Sequence, residues 1–94
     1  MQVIESNQTE TLQEYPCEYL FKAFGSSHPD DDFANLVHQA INEVVSISLD
    51  AMKHRQSPKG TYLCVTVTTY LHNDDQRQRI YTALQRIEGL KYLL

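Results

Sequence analysis

The chain has 94 residues, 41% of them apolar and 21% charged, which is ordinary for one folded domain and too short for two. Its net charge is −4, but Glu5, Glu10 and Glu14 precede the first basic residue, so the rest of the chain is nearly neutral. A neutral domain has no general attraction for nucleic acid or anionic lipid, which argues against both as partners.

Two cysteines, Cys17 and Cys64, lie far apart and outside any Cys-x-x-Cys pair. A disulfide-stapled secreted fold is therefore not expected. No apolar stretch reaches the ~18–20 residues that a membrane-spanning helix needs, and the N-terminus lacks the pattern of a signal peptide. We expect a cytoplasmic protein that does not bind a membrane.

Residues 1–14 are polar and acidic without a hydrophobic period, and they predict a flexible tail ahead of a single domain at residues 15–94. The first strand is predicted from Cys17 to Phe24, where aromatic and apolar residues alternate. Gly25 and the two serines after it are expected to end this strand.

The stretch HPDDD, residues 28–32, raises the question of a metal site. We predict instead the first turn of a helix, with Ser27 or His28 as the cap and Pro29 at the first helical position. Adjacent helical residues point ~100° apart around the axis, so the three carboxylates would diverge rather than converge on a metal ion. An acidic first turn would also disfavour an anion at that helix N-terminus.

The first helix is predicted from Phe33 to about Val44, on the three- and four-residue spacing of its apolar side chains. A second strand is predicted between Ile47 and Arg55, with an uncertain start, because apolar and polar residues alternate there. Residues 56–60 have the composition of a turn.

Residues 61–71 form the clearest predicted strand, with Leu63, Val65 and Val67 on the face expected to meet the helices. A second helix is expected to begin after Asn73, which has Gln76 three residues later as in a capping box. That helix should end just before Gly89, and Gly89 itself should adopt the left-handed conformation that is common after a helix C-terminus. A short last strand would place Leu90 and Tyr92 on one face.

The element order β-α-β-β-α-β predicts an α+β sandwich of the ferredoxin-like type. Its sheet would be four-stranded and antiparallel in the order 4-1-3-2, with both helices on one face. Right-handed β-α-β crossovers place the first and third strands at the centre.

Two blocks of sequence, YPCEYLFKAFG at residues 15–25 and SPKGTYLCVTV at residues 57–67, resemble the YbeD-like family of small bacterial proteins. The resemblance runs from about residue 15 to the last residue, and the HPDDD loop departs from it. It implies an uncharacterised bacterial protein whose fold is similar to the ACT-type regulatory domains, which bind ligands and are usually dimeric. Its most specific positions are Pro16, Lys22, Gly25, Ser57, Lys59 and Gly60.

No catalytic, cofactor-binding or metal-binding residues are predicted. The four histidines share no ligand spacing, and neither cysteine has a histidine or basic neighbour in sequence that would mark a nucleophile. We therefore predict that the protein is not an enzyme and carries no cofactor.

Two functions found on this fold fit the sequence poorly. The third-strand motif of RNA-recognition domains needs aromatic residues where this chain has Thr61, Leu63 and Thr66. Acylphosphatase-like chemistry needs an arginine after the first strand to hold a phosphoryl group, and this loop has three aspartates instead.

A basic hairpin carries Lys53, Arg55 and Lys59. The simpler interpretation is a solvated turn whose lysines protect an edge strand from pairing with other chains. The alternative is a contact site for an anionic ligand or an acidic partner, formed by these three residues together with Gly25.

The sheet face away from the helices is the last candidate site. An apolar patch there is either a protein interface, with a partner or in a homodimer, or an exposed sheet face without function, and we favour the interface. The alternative function is a regulatory site for a small metabolite such as an amino acid, in the loop from Gly25 to Asp32 or at a dimer interface. The candidate interface residues are Leu20, Phe24, Tyr62, Cys64 and Tyr70.

Overall fold

The computed structural model describes residues 14–94, which form four strands and two α-helices in the predicted order. The predicted tail, apart from Glu14, lies outside the described residues. Single 3₁₀ turns at Pro29–Asp31 and Leu49–Ala51 precede the first helix and the second strand. The elements are β1 (Cys17–Ser26), α1 (Phe33–Asn42), β2 (Met52–Gln56), β3 (Tyr62–Leu71), α2 (Asp74–Gln85) and β4 (Leu90–Leu93).

The sheet is antiparallel throughout, with strand order β2-β3-β1-β4. Read from the other edge this is 4-1-3-2, so the predicted ferredoxin-like sandwich is confirmed. β1 and β3 pair along ten residues, from Cys17 opposite Leu71 to Ser26 opposite Tyr62. Both helices pack on the same face of this sheet, where their apolar side chains join one core.

The core forms where the alternating inward residues of β1 and β3 meet the apolar faces of the helices. Its largest fully buried side chains are Phe21, Phe33, Ile41, Leu71, Ile80, Leu84, Val37, Val65 and Val67. Thr69 is buried among them, and its hydroxyl donates a 2.8 Å hydrogen bond to the carbonyl of Tyr19. Buried hydroxyls need such a partner, so this position costs little.

Gly25 does not end the first strand, as had been expected. It lies opposite Leu63 and Leu90 inside the sheet, and the strand continues to Ser26. The ring of Phe33, the first residue of α1, occupies the space that a Cβ at position 25 would need. The glycine is therefore required for the close approach of the helix to the sheet rather than for a turn.

The HPDDD segment forms a 3₁₀ turn and not the first turn of α1. His28 caps this turn, and its Nδ1 accepts a hydrogen bond from the amide of Asp30 at 3.2 Å. Asp31 is bound by the Ser26 hydroxyl, and Asp32 adopts a left-handed conformation with φ of 49°. These local bonds hold the chain out of the helix, so α1 starts at Phe33 without an acidic first turn.

β2 is shorter than predicted and begins at Met52. The residues before it lie in a loop in which the Asn42 side chain accepts a hydrogen bond from the amide of Ile47 at 3.0 Å. Ile47 packs against the core, whereas Leu49 is 66% exposed in the 3₁₀ turn. Apolar and polar residues alternate in this loop and 3₁₀ turn as they do in a strand, which is why the strand was predicted to start too early.

β4 also departs from the prediction that Leu90 and Tyr92 share a face. Its register against β1 shifts between Phe24 and Gly25, so one residue is added to the β4 side. Leu90 and Leu93 pack against the core, while Tyr92 lies opposite Phe24 on the outer face. Gly89 has a positive φ of +92°, as expected, but α2 ends at Gln85 with Arg86 as its cap, so the glycine lies in the turn before β4 and does not cap the helix.

The predicted capping of the second helix is confirmed. The Asn73 side chain accepts a hydrogen bond from the amide of Gln76 at 2.9 Å, and the Gln76 side chain accepts one from the amide of His72 at 2.8 Å. This reciprocal pair satisfies backbone donors at the start of α2.

Asp74 anchors the segment before β1 to α2. Its carboxylate accepts hydrogen bonds from Arg77 Nε at 2.8 Å, Gln78 Nε2 at 2.6 Å and the Tyr15 hydroxyl at 3.1 Å. The Arg77 guanidinium, and after it Tyr15 and Gln78, lowers the pKa of Asp74, although partial burial acts in the opposite direction. The same guanidinium lies 6.0 Å from the ring centres of Tyr19 and Tyr81.

We expect Gly25→Ala to lower the free energy of unfolding by about 1–3 kcal/mol, because the new methyl group overlaps the Phe33 ring. Phe33 is 2% exposed and cannot swing aside into solvent. Denaturant unfolding measures the effect. The same change in a Phe33→Leu background should cost less, and equal costs in both backgrounds would contradict the contact.

Asp74→Asn should destabilise the fold at neutral pH, with a difference that shrinks in acid. In the folded state the pKa of Asp74 lies below its ordinary value of about 4, so the ionised carboxylate stabilises the fold at pH values above about 4. This stabilisation is lost as the pH falls through the lowered pKa. Unfolding curves between about pH 6 and pH 2.5 test this. Asp75→Asn is the matched control, because Asp75 is exposed and its contact with Arg79 is 3.8 Å long. A pH-independent difference for Asp74→Asn would refute the assignment.

Candidate functional site

The register of the sheet determines which side chains share the face away from the helices. Phe24 lies opposite Cys64 of β3 and Tyr92 of β4, and Cys64 lies opposite Arg55 of β2. One row across all four strands therefore carries an aromatic pair, a thiol and a cation. The next row places Thr66 between Lys22 of β1 and Lys53 of β2.

Three aromatic rings cluster at one end of this face. The ring centre of Phe24 is 5.9 Å from that of Tyr62 and 5.8 Å from that of Tyr92, with interplanar angles of 72° and 53°. Tyr62 and Tyr92 are exposed, and Phe24 is half-buried between them. Tilted and edge-on arrangements of this kind are favourable for aromatic rings, so the ring contacts stabilise the cluster.

Three cations stand beside these rings. Lys22, Lys53 and Arg55 project from the outer face, and none of them forms an ion pair with another residue in the described part of the chain. We call these cations and the three rings the basic–aromatic patch. Its members are Lys22, Phe24, Lys53, Arg55, Tyr62 and Tyr92.

Two adjoining depressions lie on the basic–aromatic patch. One has a volume of about 490 Å³ and is lined by Lys22, Phe24, Arg55 and Tyr62, among others. The other, of about 380 Å³, lies against Lys22, Lys53 and Arg55. Both are bordered by Cys64, which is half-buried. The volumes lie within the range of small-molecule sites.

The predicted interface residues lie in two groups on the outer face. Phe24, Tyr62 and Cys64 are together at the patch. Leu20 and Tyr70 are each 55% exposed nearer the other end of β1 and β3, where Leu20 lies opposite Thr68. The predicted interface residues thus share one face of the sheet, but the polar side chains of Lys22, Thr66 and Thr68 lie between the two groups.

The predicted ligand contacts are also divided. Lys53 and Arg55 belong to the patch, and Lys59 is exposed in the hairpin turn. Gly25 is buried beneath Phe33, away from the basic side chains. The structure thus places two of these four residues together at the patch.

The patch is bounded by acidic residues. The Ser27 hydroxyl donates a 2.7 Å hydrogen bond to the carbonyl of Gly60, which brings the loop with Asp30 and Asp31 next to the hairpin turn. At the far end of β1, Glu18 lies beside Tyr70. The positive surface is therefore short, and a long polyanion would meet carboxylates beyond it.

Two members of the patch, Lys22 and Tyr92, were not predicted as site residues from the sequence. Lys22 is remote in sequence from the basic hairpin, and only the β1–β3–β2 register brings it to Thr66 and Lys53. Tyr92 faces outward because of the irregular register in β4, and no residue type in that strand signals it.

Within residues 14–94, no group of three or more His, Cys, Asp and Glu side chains is placed to hold a metal ion. In that same part of the chain, no helix has the length and apolarity needed to cross a membrane.

A family model described as a protein of unknown function, DUF493, matches residues 10–94. A UPF0250 protein of Paraburkholderia phytofirmans is 35% identical over 91 residues, covering 95% of this chain and 99% of that protein. A UPF0250 protein of Neisseria gonorrhoeae is 34% identical over 95 residues, covering 96% and 97%. These matches confirm the resemblance to a bacterial family found in the sequence.

The solution structure of protein HP0495 from H. pylori is similar to this chain in fold. Its TM-score is 0.60, with 14% identity, over 87% of this chain and 85% of that one. At that identity the likeness concerns the architecture alone.

Proposed function

Since the chain belongs to the DUF493 family of proteins of unknown function, we propose that it is a non-enzymatic interaction module that binds a protein partner through the outer face of its sheet. The module would regulate the partner protein by binding to it. We place it in the cytoplasm, because the two cysteines lie far apart in sequence and outside any Cys-x-x-Cys pair, which is not the pattern of a disulfide-stapled secreted protein.

The observation that carries this proposal is the basic–aromatic patch. Protein interfaces are enriched in Tyr, Phe and Arg, and aromatic side chains are frequent among the residues that dominate binding energy. Here Tyr62 and Tyr92 expose large side chains beside Phe24. Leu20 and Tyr70 extend the apolar surface along β1 and β3.

We expect Phe24→Asp or Tyr70→Asp to abolish retention of a protein partner, because each change puts a charge in the apolar surface that the partner would cover. Affinity capture with the tagged full chain, followed by native mass measurement of the eluted complex, gives the readout. Thr82→Asp is the control, since Thr82 is exposed on α2.

The native mass also tests for a homodimer on the same surface. A dimer that dissociates in Phe24→Asp identifies a second copy as the partner. If the oligomeric state and the retained proteins are the same for wild type, Phe24→Asp and Tyr70→Asp, the outer face is not the interaction surface.

A second candidate function is supported by the depression of about 490 Å³ on the patch, where two cations flank an aromatic pair. This depression would suit a small anionic metabolite with an apolar group. It is a better candidate site than the loop from Gly25 to Asp32, where Gly25 is buried. Arg55 would hold its carboxylate or phosphate group.

A thermal-shift screen of anionic metabolites tests this second candidate. A ligand at about one hundred times its Kd adds about 2.7 kcal/mol to the free energy of unfolding and raises Tm. The shift should be lost in Arg55→Ala and kept in Lys91→Ala, because Lys91 lies on β4 away from the depression. A ligand whose shift persists in Arg55→Ala binds elsewhere.

A further inference from the structure

β2 is an edge strand with one free side. Its five residues pair with β3, and within residues 14–94 no other strand lies beside it. Lys53, His54, Arg55 and Gln56 are all exposed. An exposed edge of this kind presents backbone donors and acceptors that can pair with another chain.

The register shows which backbone groups these are. The amide of Ser57 donates to the carbonyl of Tyr62 at 2.8 Å, which marks this pair as hydrogen-bonded. Hydrogen-bonded and non-hydrogen-bonded pairs alternate along an antiparallel ladder, so Arg55 and Lys53 also bond to β3. The N–H and C=O groups of His54 and Gln56 therefore point away from the sheet.

This alternation has a consequence for any strand added antiparallel to β2. Its hydrogen bonds would be made with His54 and Gln56, so the residues opposite Lys53 and Arg55 would form the non-hydrogen-bonded pairs. In such pairs the Cα atoms are about 4.5 Å apart and the side chains come closest. Lys53 and Arg55 both project to the outer face, so two residues at positions i and i+2 of the added strand would face them.

The charges on the edge select what can occupy it. Neither Lys53 nor Arg55 has an ion-pair partner in the described part of the chain, and Lys22 lies two strands further in, on the far side of Thr66. Pairing with a second copy about His54 would set Lys53 opposite Arg55 of that copy, and like charges directly opposite are destabilising. Carboxylates in the same places would be favourable.

We propose that the free edge of β2 pairs with an extended acidic segment of a partner protein, whose carboxylates at positions i and i+2 face Lys53 and Arg55. This inference rests on the proposed function and names the chemistry of its partner. A nucleic-acid strand fits less well, because the net charge is −4 and acidic residues bound the patch. A nucleic-acid strand also lacks the peptide backbone donors and acceptors that would pair with those of His54 and Gln56.

The probes are three synthetic peptides in one extended, Thr- and Val-rich host sequence, with Glu-x-Glu, Gln-x-Gln or Lys-x-Lys at the two facing positions. Binding to the ¹⁵N-labelled full chain is followed by chemical-shift titration and amide hydrogen exchange. We expect Glu-x-Glu to bind about twofold to thirtyfold more tightly than Gln-x-Gln, from two cross-strand ion pairs. The amides of His54 and Gln56 should gain protection.

The double variant Lys53→Glu, Arg55→Glu should reverse this order and prefer Lys-x-Lys. Lys59→Glu with Lys91→Glu is the matched control, because it makes the same charge change outside β2. His54→Pro removes an outward amide that the fold itself does not use, and should abolish Glu-x-Glu binding while thermal unfolding stays cooperative.

The proposal is overturned if Glu-x-Glu does not bind, if the charge reversal leaves the order unchanged, or if His54 and Gln56 gain no protection. Binding of labelled oligothymidylate through Lys53 and Arg55 in place of the peptide would assign the edge to nucleic acid instead. Concentration-dependent dimerisation with the same protected amides would assign it to a second copy. If Phe24→Asp loses the captured partner but Lys53→Glu, Arg55→Glu keeps it, the face functions as proposed and only the edge pairing fails.

Discussion

The pairing of β1 with β3 over ten consecutive residues is the constraint on which the rest of the molecule depends. Side chains alternate between the two faces of a strand, so a shift by one residue would exchange Phe21 with Lys22 and empty the core. The same register brings Lys22 into line with Thr66 and Lys53, and Phe24 into line with Cys64 and Arg55. Core and patch are therefore opposite sides of one arrangement, and neither can be altered without the other.

Most of the architecture could be predicted because its signals are local. The alternation in residues 17–24 and 61–71, the spacing in both helices and the cap at Asn73 each depend on nearby residues. Handedness rules then leave few arrangements of six elements, and the strand order follows. Consistency between these levels explains why a single sequence was enough for the fold.

The failures of prediction occur where a particular contact, which residue type and spacing do not signal, determines the local structure. Gly25 was interpreted as a turn residue, but the ring of Phe33 explains it. The carboxylate of Asp31 is bound to Ser26, which keeps the HPDDD segment out of α1. The patch shows the same limit, since Lys22 and Tyr92 join it only through pairings with other strands.

The central position of β1 also affects how the chain is made. A chain emerges from the ribosome N-terminus first, so β1 is synthesised before either of the strands that flank it. Its neighbours, β3 and β4, begin at residues 62 and 90. Until they emerge, both edges of an aromatic-rich strand stay open, and such segments are the ones that aggregate or engage chaperones during synthesis. Among the four described strands, β1 is thus the first to be synthesised and the last to gain both of its neighbours, because one of them is β4.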